Sequence, residues 1–251
     1  MERLTPRFLE KIWGSAHLEP WFASRDASVV GGKVGEVWFE GSEPSPLLVK
    51  FIFTSEDLSV QVHPEGKTEM WHILAAQPGA RIAAGFREPV SEGRLRAAAE
   101  SGEIMDLLEW HAAAPGDTFF IPAGTVHAIG AGLVLCEIQQ NSDVTYRLYD
   151  YGRPRELHLE RGLAVSRRER FNARQPSSEV SCRYFVTKSL RVEGSAQVLT
   201  PREHFQLFIV IEGAGEMDGH PVRAGEVWRA APDTLLSASG NLTMLVTAPA
   251  A

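Results

Sequence analysis

No apolar run in this 251-residue sequence approaches the ~20 residues that a membrane-spanning helix needs. The first residues, "MERLTPRFLEKIWG", interleave charge with apolar side chains and lack the apolar core of a secretory signal. Cysteine is scarce: Cys136 and Cys182 are the two present, too few for a disulfide framework. They could form one bridge, but a leaderless chain is expected to keep them reduced, which places the protein in the cytoplasm. Positive charge is also in deficit, with 25 Lys and Arg against 32 Asp and Glu and a net charge of −7. Nucleic acids and acidic membranes need clustered cations and are excluded as partners on that ground. A small anionic substrate is not excluded, because a few local cations suffice for it.

What the sequence does have is short strands. "PLLVKFIF" (46–53), "LSVQVH" (58–63), "EMWHIL" (69–74), "ARIAAGF" (80–86), "DTFFIP" (117–122) and "GLVLCEIQQ" (132–140) are apolar or alternating runs between Gly, Pro, Asp and Ser. One helical insertion is expected over about 91–110, opened by Ser91 as N-cap and broken at Gly102. Residues 166–177, within "SRRERFNARQPSSE", read as a linker between a first unit, 1–165, and a second, 178–251. Strands spaced by turns every ~8–12 residues make the chain all-β, as two barrel or sandwich units. The second unit echoes the first: "AGEVWRAAP" (224–232) repeats the shape of "PGDTFFIP" (115–122). His127 follows Pro122 by five residues, but the same offset from Pro232 finds Ser237, a poor metal ligand. The second unit therefore reads as a degenerate copy without chemistry.

Strand parity points to the site. In "LSVQVHP", Leu58, Val60 and Val62 share one face, and Ser59, Gln61 and His63 share the other. Such a polar row turned into a small β-barrel needs a ligand or partner. Glu69 follows His63 across the turn "PEGKT", which lets its strand fold back beside the first. Gln61, His63 and Glu69 can then converge, with His127 completing the set from a distant strand. Two imidazoles, a carboxylate and an amide oxygen suit a borderline divalent ion such as Zn²⁺.

"PGDTFFIPAGTVH" resembles the second cupin motif, and "QVHPEGKTE" resembles the first with Gln61 in place of the usual first His. With "IWG" (12–14), "EIQQNSDVTYRLYDYGR" and "RELHLERG" (155–162), the blocks over roughly 10–165 resemble type I mannose-6-phosphate isomerases in their compact bacterial form. The resemblance implies two cupin-type units, the second degenerate, and one Zn²⁺ held by Gln61, His63, Glu69 and His127. It implies a catalytic Arg147 facing the active site and Lys67 beside the metal. Ser59 and Lys50 would lie near a bound sugar phosphate. Lys67 as a solvated turn residue and Lys50 as a strand-edge charge are the plainer readings of those two positions. Oligomeric state, monomer or homodimer, is left open.

The chemistry needs such groups. Interconverting an aldose and a ketose moves a proton between C1 and C2 through an enediol-like species, whose oxyanion a divalent ion stabilises as a Lewis acid. Glu69 is the one formally charged ligand, so the site stays net positive toward an anionic sugar. For proton transfer, Lys67, His72 or another neighbour qualifies. The short "PEGKT" turn and brief helical insertion trim the pocket walls, which weakens the expected selectivity for mannose 6-phosphate. Three alternatives remain: an Fe²⁺ cupin oxygenase, a metal-binding cupin that binds or senses sugars without turnover, and an isomerase of a related or unphosphorylated sugar.

Overall fold

Strand Leu47–Phe53 is buried at every one of its positions, and the layering of the molecule explains why. The computed structural model describes residues 1–23 and 32–250. Two antiparallel sheets form the first unit. The larger runs in the order Arg174–Gln175, Thr118–Ile121, Glu69–Ala76, Leu133–Gln140, Leu47–Phe53, Val34–Glu40, Thr5–Ser15. The smaller runs Tyr146–Tyr149, Val60–Val62, His127–Ile129, Arg81–Phe86, Leu108–Ala112. Their inner faces share a core that includes Ile52, Trp71, Ile73, Phe119 and Leu135 from one sheet and Ile82, Ala84 and Ile129 from the other.

Both sheets are also covered on the outside, so the alternation of their strands separates two interiors rather than core from solvent. Val60 and Val62 turn outward from the smaller sheet and pack with Leu95, Ala98 and Ile104 of the helical insertion. Val49, Phe51, Phe53 and Met70 turn outward from the larger sheet and meet Phe185, Leu207, Ile209 and Leu245 of the second unit. The insertion begins as expected, with the Ser91 hydroxyl accepting from Arg94 N at 3.2 Å and Gly102 in the left-handed region at φ 88°. It is two helices, Glu92–Ser101 and Ile104–Leu107. Residues 108–110 of the expected span belong instead to strand Leu108–Ala112, which pairs with Arg81–Phe86. A third helix, Leu159–Val165, begins in "RELHLERG" and packs close at Gly162, where a Cβ would meet Leu148 at 2.5 Å.

The second unit is one seven-stranded sheet built on the long strands Phe185–Leu199, Gln206–Met217 and Leu235–Pro249. Where barrels were one expectation, no sheet among the described residues closes on itself; the layers are open and stacked. Pairing crosses the boundaries drawn from sequence. Glu2–Arg3 joins the second unit's sheet through Arg229 and Trp228. Arg174–Gln175, in the expected linker, pairs with Phe119 and Thr118 of the first unit. Among the described residues no helix is long and apolar enough to cross a membrane.

Candidate metal centre and active site

The turn after Val62 decides where the expected ligands meet. Gly66 takes φ +93°, a conformation that only glycine adopts without strain, and Lys67 N closes the turn on Pro64 O at 3.3 Å. The chain so reversed enters the opposite sheet, and Glu69 faces the strand it has left. Two rows of side chains now confront each other across the sandwich. In the smaller sheet Ala84, His127, Gln61 and Arg147 lie side by side in register. In the larger sheet Arg7, Trp38, Lys50, Glu137 and Trp71 do the same. Residues directly opposite in adjacent strands share a face, so both rows point inward. Trp71 joins them, its indole N–H donating to Glu137 Oε2 at 3.0 Å and its ring edge-on to His127 at 5.3 Å.

Glu69 sits between the two imidazoles, with Oε2 3.4 Å from His63 Nε2 and Oε1 3.7 Å from His127 Nε2. His63 Nδ1 donates to Val144 O at 3.0 Å, and His127 Nδ1 donates to Thr125 O at 2.9 Å. A carbonyl accepts only, so each imidazole carries its proton on Nδ1 and turns a bare Nε2 toward the carboxylate. Burial pushes the His63 pKa down to about 4 and lowers that of His127 as well, which keeps both rings neutral near pH 7. Burial would raise the pKa of Glu69, but the neighbouring charge of Lys67 works against that, the shift is downward, and the carboxylate remains ionised. Two lone pairs thus face an anion in a dry site. His63 Nε2 and both oxygens of Glu69 have no hydrogen-bond partner although fully buried. Such groups are costly unless something binds them, and a divalent cation fits this donor set. Among the described residues, His63, Glu69 and His127 are the one group of His, Cys, Asp and Glu so disposed. Gln61 adjoins it, with Nε2 3.3 Å from His127 Nε2 and Oε1 3.3 Å from Ser59 Oγ. Turning the amide over would offer its oxygen to the same point and its N–H to the Ser59 hydroxyl.

Beside these donors lies a cavity of about 500 Å³. Its wall includes the cations Arg7, Lys11, Lys50, Lys67, Arg147 and Arg155 and the anions Glu36, Glu137 and Asp143. The pocket therefore carries a surplus of positive charge in a chain of net −7.

Lys67 is buried, 4.0 Å from Glu69 and donating to Thr145 Oγ1 at 3.3 Å. Burial lowers its pKa. Arg147 donates through Nη1 to Glu156 O at 2.7 Å, and its Nε is buried without a partner. Lys50 lies buried in mid-strand, bonded to Glu137 at 2.8 Å and Gln139 at 2.5 Å. Burial would lower its pKa, but Glu137 and Glu36 outweigh that and hold it raised. Neither lysine is solvated, so the plainer readings of both fail.

His72 is corrected. Strand parity turns it away from Glu69 and Trp71, to the outer face of the sheet. There its Nδ1 meets Thr118 Oγ1 at 2.9 Å, and it lines a separate cleft with Trp21 and Ile211. It has no access to the site. Glu36, Trp38, Glu137 and Arg155 went unnoticed in the sequence. For Glu36, Trp38 and Glu137 the signal was a charge or indole inside an otherwise apolar strand, as in "LVLCEIQQ", where Glu137 partners Lys50; Arg155 lies outside any strand.

No family model matches the chain. The curated mannose-6-phosphate isomerase ManA of Bacillus subtilis is 37% identical over 272 aligned positions, covering 84% of this chain and 85% of the relative. The crystal structure of the Bacillus subtilis mannose 6-phosphate isomerase superposes with a TM-score of 0.84 at 27% identity, over 98% of both chains. A zinc-bound mannose 6-phosphate isomerase has the same fold, at a TM-score of 0.76 and 15% identity over 100% of this chain and 99% of its own. By that shared sequence, carried over most of its length, the chain belongs to the mannose-6-phosphate isomerase family.

Proposed function

We propose that the chain is a zinc-dependent isomerase of mannose 6-phosphate and fructose 6-phosphate, with Gln61, His63, Glu69 and His127 holding the ion. The observation that carries this reading is the buried, unpartnered donor cluster beside a cavity rich in cations. Zinc, when bound, would supply Lewis-acid stabilisation of the oxyanion that develops at C1 and C2. The remaining work falls to the chain. The reaction takes a proton from C2 of the aldose and returns one to C1. Lys67, buried next to Glu69, is placed to hold or deliver a proton at the reacting end. Arg147 stands in register beside Gln61, and its planar fork suits an enediolate or a phosphate. Lys50 and Ser59 line the same cavity and would bind the sugar phosphate.

In this reading residues 178–251 form a metal-free second unit, and the protein works in the cytoplasm as a monomer or homodimer. The test is a coupled assay on metal-stripped and zinc-reloaded protein with mannose 6-phosphate and free mannose. Turnover of the phosphate that depends on zinc is expected. Equal turnover of both sugars would move the function to unphosphorylated sugars. Zinc binding without turnover of either would leave a sugar-binding cupin.

A further inference from the structure

Gln139 is fully buried in strand Leu133–Gln140, in register with the ligand Glu69. Its side chain makes three hydrogen bonds of two kinds. Oε1 accepts from Lys50 Nζ at 2.5 Å. Nε2 donates to Gln140 O and to Ser142 O, each at 2.6 Å. One orientation of the amide satisfies these partners: turned over, it would set N–H groups against an ammonium and an oxygen against two carbonyls. Glutamate would face the same two carbonyls with a second acceptor. The position therefore demands a side chain with one acceptor end and one donor end.

What it joins matters more. On one side is Lys50, whose ammonium bonds Glu137 and Gln139 and lines the cavity. On the other is the turn 140–145. In that turn Val144 O accepts from His63 Nδ1, and Thr145 Oγ1 accepts from Lys67 Nζ. The carbonyl partner of a ligating imidazole fixes both its tautomer and its ring orientation.

We propose that Gln139 is a positioning residue that sets Lys50 and the 140–145 turn together. One buried amide then fixes both a cation facing the substrate and the backbone carbonyl that aims His63. This rests on the reading above that Lys50 faces the sugar phosphate and His63 binds zinc.

The test uses the full chain as Gln139→Met, Gln139→Glu, Lys50→Met and the Lys50→Met/Gln139→Met double variant. Zinc affinity is measured by chelator competition, and kcat and KM with mannose 6-phosphate. Gln139→Met should lower kcat/KM by ~10-fold and add little in the Lys50→Met background, because both changes break one linkage. Gln139→Glu keeps an acceptor for Lys50 but repels the carbonyls of 140 and 142, and should weaken zinc binding by ~10-fold. Losses that multiply in the double variant, or zinc affinity within twofold of wild type in Gln139→Glu, would overturn the proposal. Should Gln139→Met fail to fold, the zinc affinity of Gln139→Glu decides alone. A wild-type chain inactive on mannose 6-phosphate would instead defeat the proposed function, and the zinc measurement would still judge Gln139.

Discussion

The two units share a turn and differ in what they turn inward. Before "DTFFIP" the chain bends at Gly116 with φ +90°, and before "EVWRAAP" it bends at Gly225 with φ +89°. Each bend is followed by an acid and a short strand, Thr118–Ile121 and Val227–Ala230. Beyond the closing proline they part. The first unit crosses from the larger sheet to the smaller, where His127 is buried beside His63 and Glu69. In the second, Ser237 lies on an exposed face of strand Leu235–Pro249, and its buried neighbours are Leu236 and Ala238. Those residues join Phe208, Val210, Met217 and Met244 in an apolar core. The turn geometry is thus kept in both places, but the chain beyond it is not: the first unit crosses to a second sheet and brings polar donors together, whereas the second stays in one sheet and fills its interior with apolar side chains.

The largest expected effect falls on the proposed ligands. His63→Ala combined with His127→Ala should abolish stoichiometric metal and lower activity by ~10³-fold or more, with the β-rich circular dichroism retained. Full metal content in that variant would break the contrast. The complementary change is Phe208→Ala in the second core. It should cost about 3–5 kcal/mol of stability in denaturant unfolding, while metal per folded chain stays at the wild-type value. A loss of metal there would mean that the second unit shapes the site directly.

Arg147→Ala should come next. If Arg147 acts on the transition state, kcat falls by ~10²-fold at unchanged metal content. A rise in KM alone would make it a phosphate holder, and wild-type kinetics would leave it structural.

The smallest effect concerns His72, in the cleft between the units. Burial lowers its pKa from the ordinary 6.5. The unfolded chain therefore binds more protons than the folded one just below pH 6.5, and stability must fall as the pH drops through that window. A single proton limits the slope to about 1.4 kcal/mol per pH unit. Urea unfolding at pH 7.5 and 5.5 should show a smaller difference in His72→Gln than in the wild type. Equal differences would assign the acid sensitivity to other groups.

Much of this was legible in the residues. Alternation in "LSVQVHP" placed Gln61 and His63 on one face, and the structure turns that face to the cavity. The same alternation, followed three residues past Glu69, would have put His72 on the other face, where it lies. Spacing along the chain suggested proximity; parity denied it. Lys50 was read from resemblance, but its partners Glu137 and Gln139 come from a strand 87 and 89 residues away. Register across a sheet depends on which strands become neighbours, and local sequence does not encode that. The linker was misleading for a related reason. Its charge and proline mark a connection, yet Arg174 pairs with Asp117 and stacks on Phe119, so the segment lies on the first unit.

The central claim is one functional metal per chain, held by the first unit and required for turnover of a phosphorylated aldose. Zinc titrated into the metal-stripped chain, with fructose 6-phosphate formation followed at each addition, tests it most directly. Activity should rise linearly and stop at one equivalent. Activity in the stripped protein, a continued rise to two equivalents, or none at saturation would contradict the account.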